Sequence, residues 1–305
     1  MIQTVTQLIS KEDLGIVLPH EHILVGFIEE GKLTPQDYDK DDVVRVMLPY
    51  LKQLGDAGCR ALVDCSPEYL GRDPYILKEL SQLSNMHIIT NTGFYQGPYL
   101  PSFVYEMDVE ELADIWIKEA EEGIGESGVK PGFIKIALSS SNGRIIPVQQ
   151  KILNAAIRAS KQTGLTIQAH TIGGVTILHA LEILQKNDFD PSQFIWVHAD
   201  SEPDLAYHER VVKAGMWIEI DSIGARDYLE HYEIIKNLID RGLEDKILIS
   251  QDAGWYNVGQ EDGGRVRPYH KLFTEFIPLL KEKGIDKEIL DKLLIKNPVT
   301  AITIR

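Results

Sequence analysis

The chain has 305 residues, 44% of them hydrophobic and 25% charged, with a formal net charge of −15. This composition excludes intrinsic disorder, and no apolar run approaches the ~18 residues of a membrane span. The acidic balance argues against nucleic acid or an anionic membrane as partner, because both bind basic surface.

The first segment, MIQTVTQLISKEDLG, lacks the basic start and long apolar core of a secretory signal. An apolar strand, GIVLPHEH (15–22), follows, and then DDVVRVMLPYLKQLGDAG, where Val43, Val46, Met47, Tyr50, Leu51 and Leu54 keep helical spacing. The second strand is RALVDC (60–65). The two cysteines, Cys59 and Cys65, both fall in or beside it; they exclude a disulfide framework and fit a reducing cytoplasm. Further strands are predicted at HIITNT (87–92), GFIKIA (132–137), LTIQAH (165–170), FIWVHA (194–199), MWIEID (216–221) and KILISQD (246–252). Helical patterns separate them: DVEELADIWIKEAEEG, QQKILNAAIRASKQTG, GVTILHALEILQKN, EPDLAYHERVVKAG and YLEHYEIIKNLIDRG, with YHKLFTEFIPLLKEKG after the last. Several end in Gly, as helix C-caps do. No Pro/Ser-rich linker or charge block interrupts the series. Eight strand–helix units in one uninterrupted chain predict an α/β protein, a single (β/α)8 TIM barrel of parallel strands over residues 1–305, with its chemistry at the C-terminal strand ends.

Those ends carry the polar residues. Strand one closes with His20-Glu21-His22, whose period-two spacing points both imidazoles inward. Strand five ends in His170, strand six in His198 and strand eight in Asp252, and Lys135 lies on strand four among Phe133, Ile134, Ile136 and Ala137. His87 opens strand three at the opposite end, and His179, His208, His231 and His270 fall on helical stretches, with surface or packing roles expected. Lys135 admits three readings. It can snorkel to solvent, act as a Schiff-base nucleophile in a metal-free aldolase, or take up carbon dioxide as a carbamate whose two oxygens each hold a cation. Four imidazoles and a carboxylate at one end of the barrel favour the carbamate. They suit zinc, with manganese or cobalt as alternatives, better than calcium or magnesium. Five ligands exceed what one catalytic ion needs, so two divalent ions bridged by carboxylated Lys135 are expected.

With EDLGIVLPHEHI, GCRALVDCSPEYLGRD, HIITNTGFYQGPYLP, GFIKIA, QAHT, VHADSEPDL, ILISQDAG and NPVTAI in place, nearly the whole chain resembles the phosphotriesterase family of the amidohydrolase superfamily, which includes phosphotriesterase-like lactonases. The resemblance implies His20, His22 and Asp252 on a buried metal, His170 and His198 on a more exposed one, and carboxylated Lys135 between them. It further implies a bridging hydroxide as nucleophile, Asp252 as acceptor of its proton, and a homodimer. Two positions depart from relatives. Ser201 stands third after His198, where several organophosphate-hydrolysing relatives carry an acid. Ser222 follows Asp221, where many lactone-hydrolysing relatives carry an arginine, and the nearest here is Arg226.

In lactone-hydrolysing relatives an aromatic residue after strand three lies over the metals, and Tyr95 and Tyr99 occupy that segment. The long segment DAGWYNVGQEDGGRVRPYHK carries Arg265, Arg267 and Lys271, and guanidinium forks suit a phosphate or carboxylate on a small-molecule substrate. The expected activity is hydrolysis of a lactone or related carboxylic ester, a phosphorylated sugar lactone included. A phosphotriesterase on the same metal centre is the alternative, and an aldolase or a non-catalytic ligand-binding barrel the readings outside that class.

Overall fold

The eight apolar runs all become strands in the computed structural model, which describes residues Met1–Arg305. They are β1 (Val17–Val25), β2 (Ala61–Asp64), β3 (His87–Ile89, resuming as Asn91–Thr92), β4 (Phe133–Ala137), β5 (Thr166–His170), β6 (Phe194–Val197), β7 (Trp217–Ile220) and β8 (Ile247–Ile249). Pairing is parallel throughout this set and forms two arcs. One runs from β8 through β7, β6, β5 and β4 to Asn91–Thr92; the other runs from β3 through β2 and β1 to a short strand, Gly254–Asn257.

Two joins close the arcs into a (β/α)8 TIM barrel. At the first, Gly132 N donates to the carbonyl of Thr90, the residue that interrupts β3, at 2.8 Å. At the second, His20 N donates to Ser250 Oγ at 3.0 Å, Asp252 N to His20 O at 3.2 Å and His22 N to Ala253 O at 2.9 Å. Strand eight is therefore shorter than KILISQD suggests. Its last residues turn toward β1 instead of continuing the ladder, with Asp252 at φ 50°. β1 runs three residues beyond the expected His22 and carries a register shift against β2 between Leu18 and Glu21. Such a bulge re-aims the side chains that follow it, here those of the HEH motif.

Helices cover the outside: α1 (Lys40–Asp56), α2 (Pro74–Ser84), α3 (Val109–Glu122), α4 (Pro147–Thr163), α5 (Gly174–Lys186), α6 (Leu205–Lys213), α7 (Tyr228–Asp240) and α8 (Ile277–Glu282, entered through a π-helical turn at Leu272–Phe276). No helix is long and apolar enough to cross a membrane. The periodic patterns named seven of these. The unnamed one, α2, is set by its start: Asp73 accepts from Tyr75 N and Ile76 N, and Pro74 occupies the first turn, where its missing N–H is no loss. The expected Gly C-cap of α4 is found, with Gly164 at φ 75°.

Strand alternation divides the core. On β4, Ile134 and Ile136 pack with the helices in the large outer cluster, whereas Phe133 joins the inner cluster with Val17, Val63 and Ile89. Period two then sends Lys135 inward, above Phe133 and beside its β5 partner Gln168. The closing NP motif anchors the end of the chain, since Asn297 Nδ2 donates to Glu244 O at 2.7 Å and to Ile247 O at 2.8 Å and so fastens that segment beneath β8.

Candidate metal centre and the adjoining cavity

All six expected ligands, His20, His22, Lys135, His170, His198 and Asp252, line one cavity of about 100 Å³ at the C-terminal end of the barrel. Ring centroids lie 5.5 Å apart for His20 and His22, 5.3 Å for His20 and His198, and 4.5 Å for His170 and His198. His22 Nε2 stands 3.1 Å from Asp252 Oδ1, and His20 Nε2 3.9 Å from the same oxygen.

Each imidazole is held through Nδ1. His20 Nδ1 donates to Glu219 at 3.1 Å and His198 Nδ1 to Asp221 at 2.6 Å. Ser66 donates its one hydroxyl proton to Leu24 O, so it accepts from His22 Nδ1 at 2.8 Å. His170 Nδ1 lies 3.3 Å from the Tyr95 hydroxyl. Donation from Nδ1 leaves Nε2 of His20, His22 and His198 for another acceptor of electron pairs, the arrangement that orients metal-binding histidines. Asp221 serves both ends of the site, since its second oxygen accepts His198 N at 2.9 Å and lies 3.3 Å from His20 Nδ1.

The electrostatics point the same way. Burial, with the charge of Lys135 next, holds His20 well below the usual imidazole range, and burial also lowers His22. Burial, helped by His198 and Lys135, takes His170 down to about 3. His198 goes the other way: burial would lower it, but Asp221 raises it. Burial alone would raise Asp252, yet its closeness to His22 and the other imidazoles brings it to about 2. Neutral His20, His22 and His170 beside an ionised Asp252 are the protonation states a divalent cation requires.

Two orphaned atoms test the fit. Lys135 Nζ is buried, at 2% residue exposure, with no hydrogen-bond partner, and Asp252 Oδ1 is likewise buried and unaligned for a hydrogen bond to His22. Ligand atoms ~2.0–2.1 Å from one ion stand ~3–3.5 Å apart, the spacing of His22 Nε2 and Asp252 Oδ1. The ligand atoms of His20, His22 and Asp252 all lie within 4.8 Å of one another. The donor set thus fits divalent metal, and Lys135 completes it only if its amine becomes an oxygen ligand.

The backbone here is held by force of its surroundings. His198 (φ 62°), Asp252 (φ 50°) and Trp255 (φ 74°) are all left-handed, a conformation that costs a non-glycine residue ~1–2 kcal/mol. Glu21, the middle residue of HEH, faces away from the cavity, is fully buried, and accepts from Ser250 Oγ (2.8 Å), Gln251 N (3.1 Å) and Ala253 N (2.6 Å). It thereby clamps both flanks of Asp252. Trp255 donates from Nε1 to Asp252 O at 2.9 Å and packs edge-on against His22 at 5.1 Å, and Phe27 lies 5.6 Å from it and 5.3 Å from Tyr99. Tyr95 and Trp255 line the metal cavity; Tyr95 combines that position with its contact to His170.

A second cavity, of about 650 Å³, flanks the same turn and is lined by Gln251 together with Arg226, Arg265, Arg267 and Lys271. The structure thus brings all three expected arginines to one place. Arg226 is tied by Nη2 to Asp200 Oδ2 (3.1 Å), Asp200 O (3.2 Å) and Ser222 Oγ (3.2 Å), and Ser222 in turn donates to Asp200. Arg267 Nη1 donates to Asp252 O at 3.0 Å, Lys271 pairs with Glu275 at 3.4 Å, and Arg265 has no protein partner. Of the histidines given packing roles, His208 and His231 are fully buried, on Ala199 O and Ser222 respectively.

Five residues of this machinery were not expected: Glu21, Ser66, Glu219, Asp221 and Trp255. Two had a signal, because alternation in MWIEID puts Glu219 and Asp221 on one inward face. Ser66 lies in irregular chain and Trp255 on the short strand Gly254–Asn257, and neither had a signal.

A model of the phosphotriesterase family matches residues 1–302 of the chain. The phosphotriesterase homology protein of Escherichia coli (strain K12) is 28% identical over 295 residues, covering 95% of this chain and 98% of the relative. An aryldialkylphosphatase of Saccharolobus solfataricus is 27% identical over 301 residues, 95% of each chain. A phospho-furanose lactonase of Mycoplasmopsis synoviae is 30% identical over 327 residues, 97% of this chain and 90% of the relative. The chain therefore belongs to the phosphotriesterase family, whose members are binuclear metal-dependent enzymes, and is a hydrolase acting on ester bonds.

Proposed function

We propose that this protein opens the ester bond of a lactone, and that its substrate is a sugar lactone carrying a phosphate. The observation that carries this reading is the cavity where Arg226, Arg265, Arg267 and Lys271 converge beside Asp252. Such a cluster of cationic forks suits a phosphate dianion. A relative of 30% identity named as a phospho-furanose lactonase supports the same class.

His20, His22 and Asp252 would hold one ion and His170 and His198 the other, with Lys135, as its carbamate, between them. Zinc suits these nitrogen and oxygen donors best, with manganese or cobalt as alternatives. Bound ions would supply a water acidic enough to ionise near neutral pH and would polarise the lactone carbonyl. The rest falls to the protein. Asp252, ionised at neutral pH, accepts the water's proton, and its low basicity lets it pass that proton on to the leaving alkoxide. Glu219 and Asp221 keep the imidazoles in the required tautomer. Arg265 and Arg267 hold the phosphate, which fixes the ring's orientation, while Tyr95 and Trp255 wall off water from the reacting face. In this reading Arg226 forms the far wall of the phosphate cavity.

A phosphotriester is the second reading, favoured by the aromatic lining from Phe27, Tyr95 and Trp255, which would accept an aryl leaving group. The test is a comparison of kcat/KM for a phosphorylated furanose lactone, the same lactone without phosphate, and paraoxon. Two charge-assisted contacts worth ~1.5 kcal/mol each predict a preference of roughly 100-fold for the phosphorylated lactone over its parent. Turnover of paraoxon with neither lactone hydrolysed would reverse the assignment.

A further inference from the structure

The segment after Gly254–Asn257 leaves the barrel and returns to the place it left. On its return Arg267 pairs its backbone with Gly254 in both directions, N to O at 2.8 Å and O to N at 2.9 Å. Gln251, 2% exposed, donates from Nε2 to Tyr269 O at 2.6 Å and accepts Leu272 N on Oε1 at 3.0 Å. Between those two anchors, Arg267 Nη1 donates to the carbonyl of Asp252 at 3.0 Å. Residues 251, 252 and 254 thus carry the returning chain, and the middle one is the carboxylate assigned to metal and proton.

Arg267 and Arg265 differ in a way that sequence alone does not reveal. Both line the 650 Å³ cavity and neither has a carboxylate partner, but the Arg265 side chain makes no hydrogen bond to the turn. The Arg267 guanidinium has one N–H committed to Asp252 O and others left for an anion. An anion that fixes this fork also fixes the carbonyl on its other arm. Asp252 is left-handed, a conformation kept by its contacts, so its carboxylate direction depends on how firmly that carbonyl is held.

We propose that Arg267 is a positioning residue for Asp252, and that through it an anionic group on the substrate acts on the catalytic step and not on affinity alone. Arg265 contributes affinity only. The part given to the substrate's anion rests on the phosphorylated-lactone reading above; the hold on Asp252 does not. In energetic terms, binding made far from the reacting carbonyl is spent on orienting the group beside it.

Three variants of the full chain decide this: Arg267→Gln, Arg267→Lys and Arg265→Gln, metal-loaded, with phosphorylated and unphosphorylated furanose lactone. The wild type is expected to show a higher kcat with the phosphate present. Arg265→Gln raises KM for the phosphorylated lactone ~10-fold, leaving kcat and the kcat ratio of the two lactones near wild type. Arg267→Gln lowers kcat on both lactones ~10-fold or more and brings the ratio close to 1. Arg267→Lys, which keeps a charged donor, recovers part of the loss and serves in place of the Gln variant should that one not fold. A second readout is free of turnover: calorimetric titration of metal-stripped protein with Mn2+, where Arg267→Gln binds ~10-fold more weakly and Arg265→Gln binds as wild type. If Arg267→Gln changes KM alone and leaves metal affinity intact, the proposal is overturned. If the wild type hydrolyses neither lactone, the substrate reading fails, and the titration still decides whether Arg267 holds Asp252.

Discussion

Replacing Lys135 by methionine should raise the stability of the metal-free protein and lower that of the metal-loaded one. In the absence of ions the lysine places a 2% exposed amine, without a hydrogen-bond partner, between Phe133 and Ala137. An unsatisfied buried polar group costs ~1–3 kcal/mol, and methionine, of similar length and flexible, fills the same space without it. At ~2.1 cal/mol/K per residue, a chain of 305 residues unfolds with an entropy of ~0.6 kcal/mol/K, so the expected gain in Tm is ~2–5 °C. With ions present the sign should reverse, since a carbamate at Lys135 would supply ligand oxygens that the variant lacks, and with them the stabilisation that bound metal gives the folded state. The assay is differential scanning calorimetry of stripped and reloaded protein, with elemental analysis of metal per chain. Two ions per chain in Lys135→Met with unreduced activity, or a lower Tm than wild type in stripped protein, would refute the reasoning.

Asp221→Asn should weaken divalent-ion binding by ~10–100-fold while leaving the fold intact, because one carboxylate orients both His198 and His20; a metal titration followed by circular dichroism checks both halves. The stripped protein should also lose stability in acid. His170 and Asp252 have folded pKa values of about 3 and about 2, below their ordinary 6.5 and 3.8. Their contribution is therefore complete above the unfolded values and is lost as pH falls through the folded ones. For His170 that window runs from pH 6.5 to about 3, and urea titrations at pH 7 and 4.5 should differ by roughly 2–3 kcal/mol more in wild type than in His170→Asn.

Much of the barrel was legible because its strands are short apolar runs of even spacing, and six inward groups fall at their C-terminal ends. Lys135 stood out for a physical reason: a charged group in a buried strand needs a partner, and none is local. Less could be read where long-range contacts override local pattern. KILISQD continues like a strand through Asp252, but Glu21, some 230 positions earlier, captures the N–H groups around it and turns the chain. The alternation of HEH identifies two ligands and says nothing of the glutamate between them until the neighbour on its other side is known. The arginines could be placed in a long loop by composition, yet their separate duties depend on which of them reaches the Asp252 carbonyl, a matter of three-dimensional return that no spacing encodes.

The seam between β1 and β8 lacks a continuous ladder and is spanned by single bonds donated by His20, Asp252 and His22. His20 and His22 stand on one lip of that seam and Asp252 on the other, so an ion gripped by all three would rivet the cylinder where its staves are least joined. Emptying the site and springing that stave are then a single event, and the cylinder is tightest when its reagents are aboard.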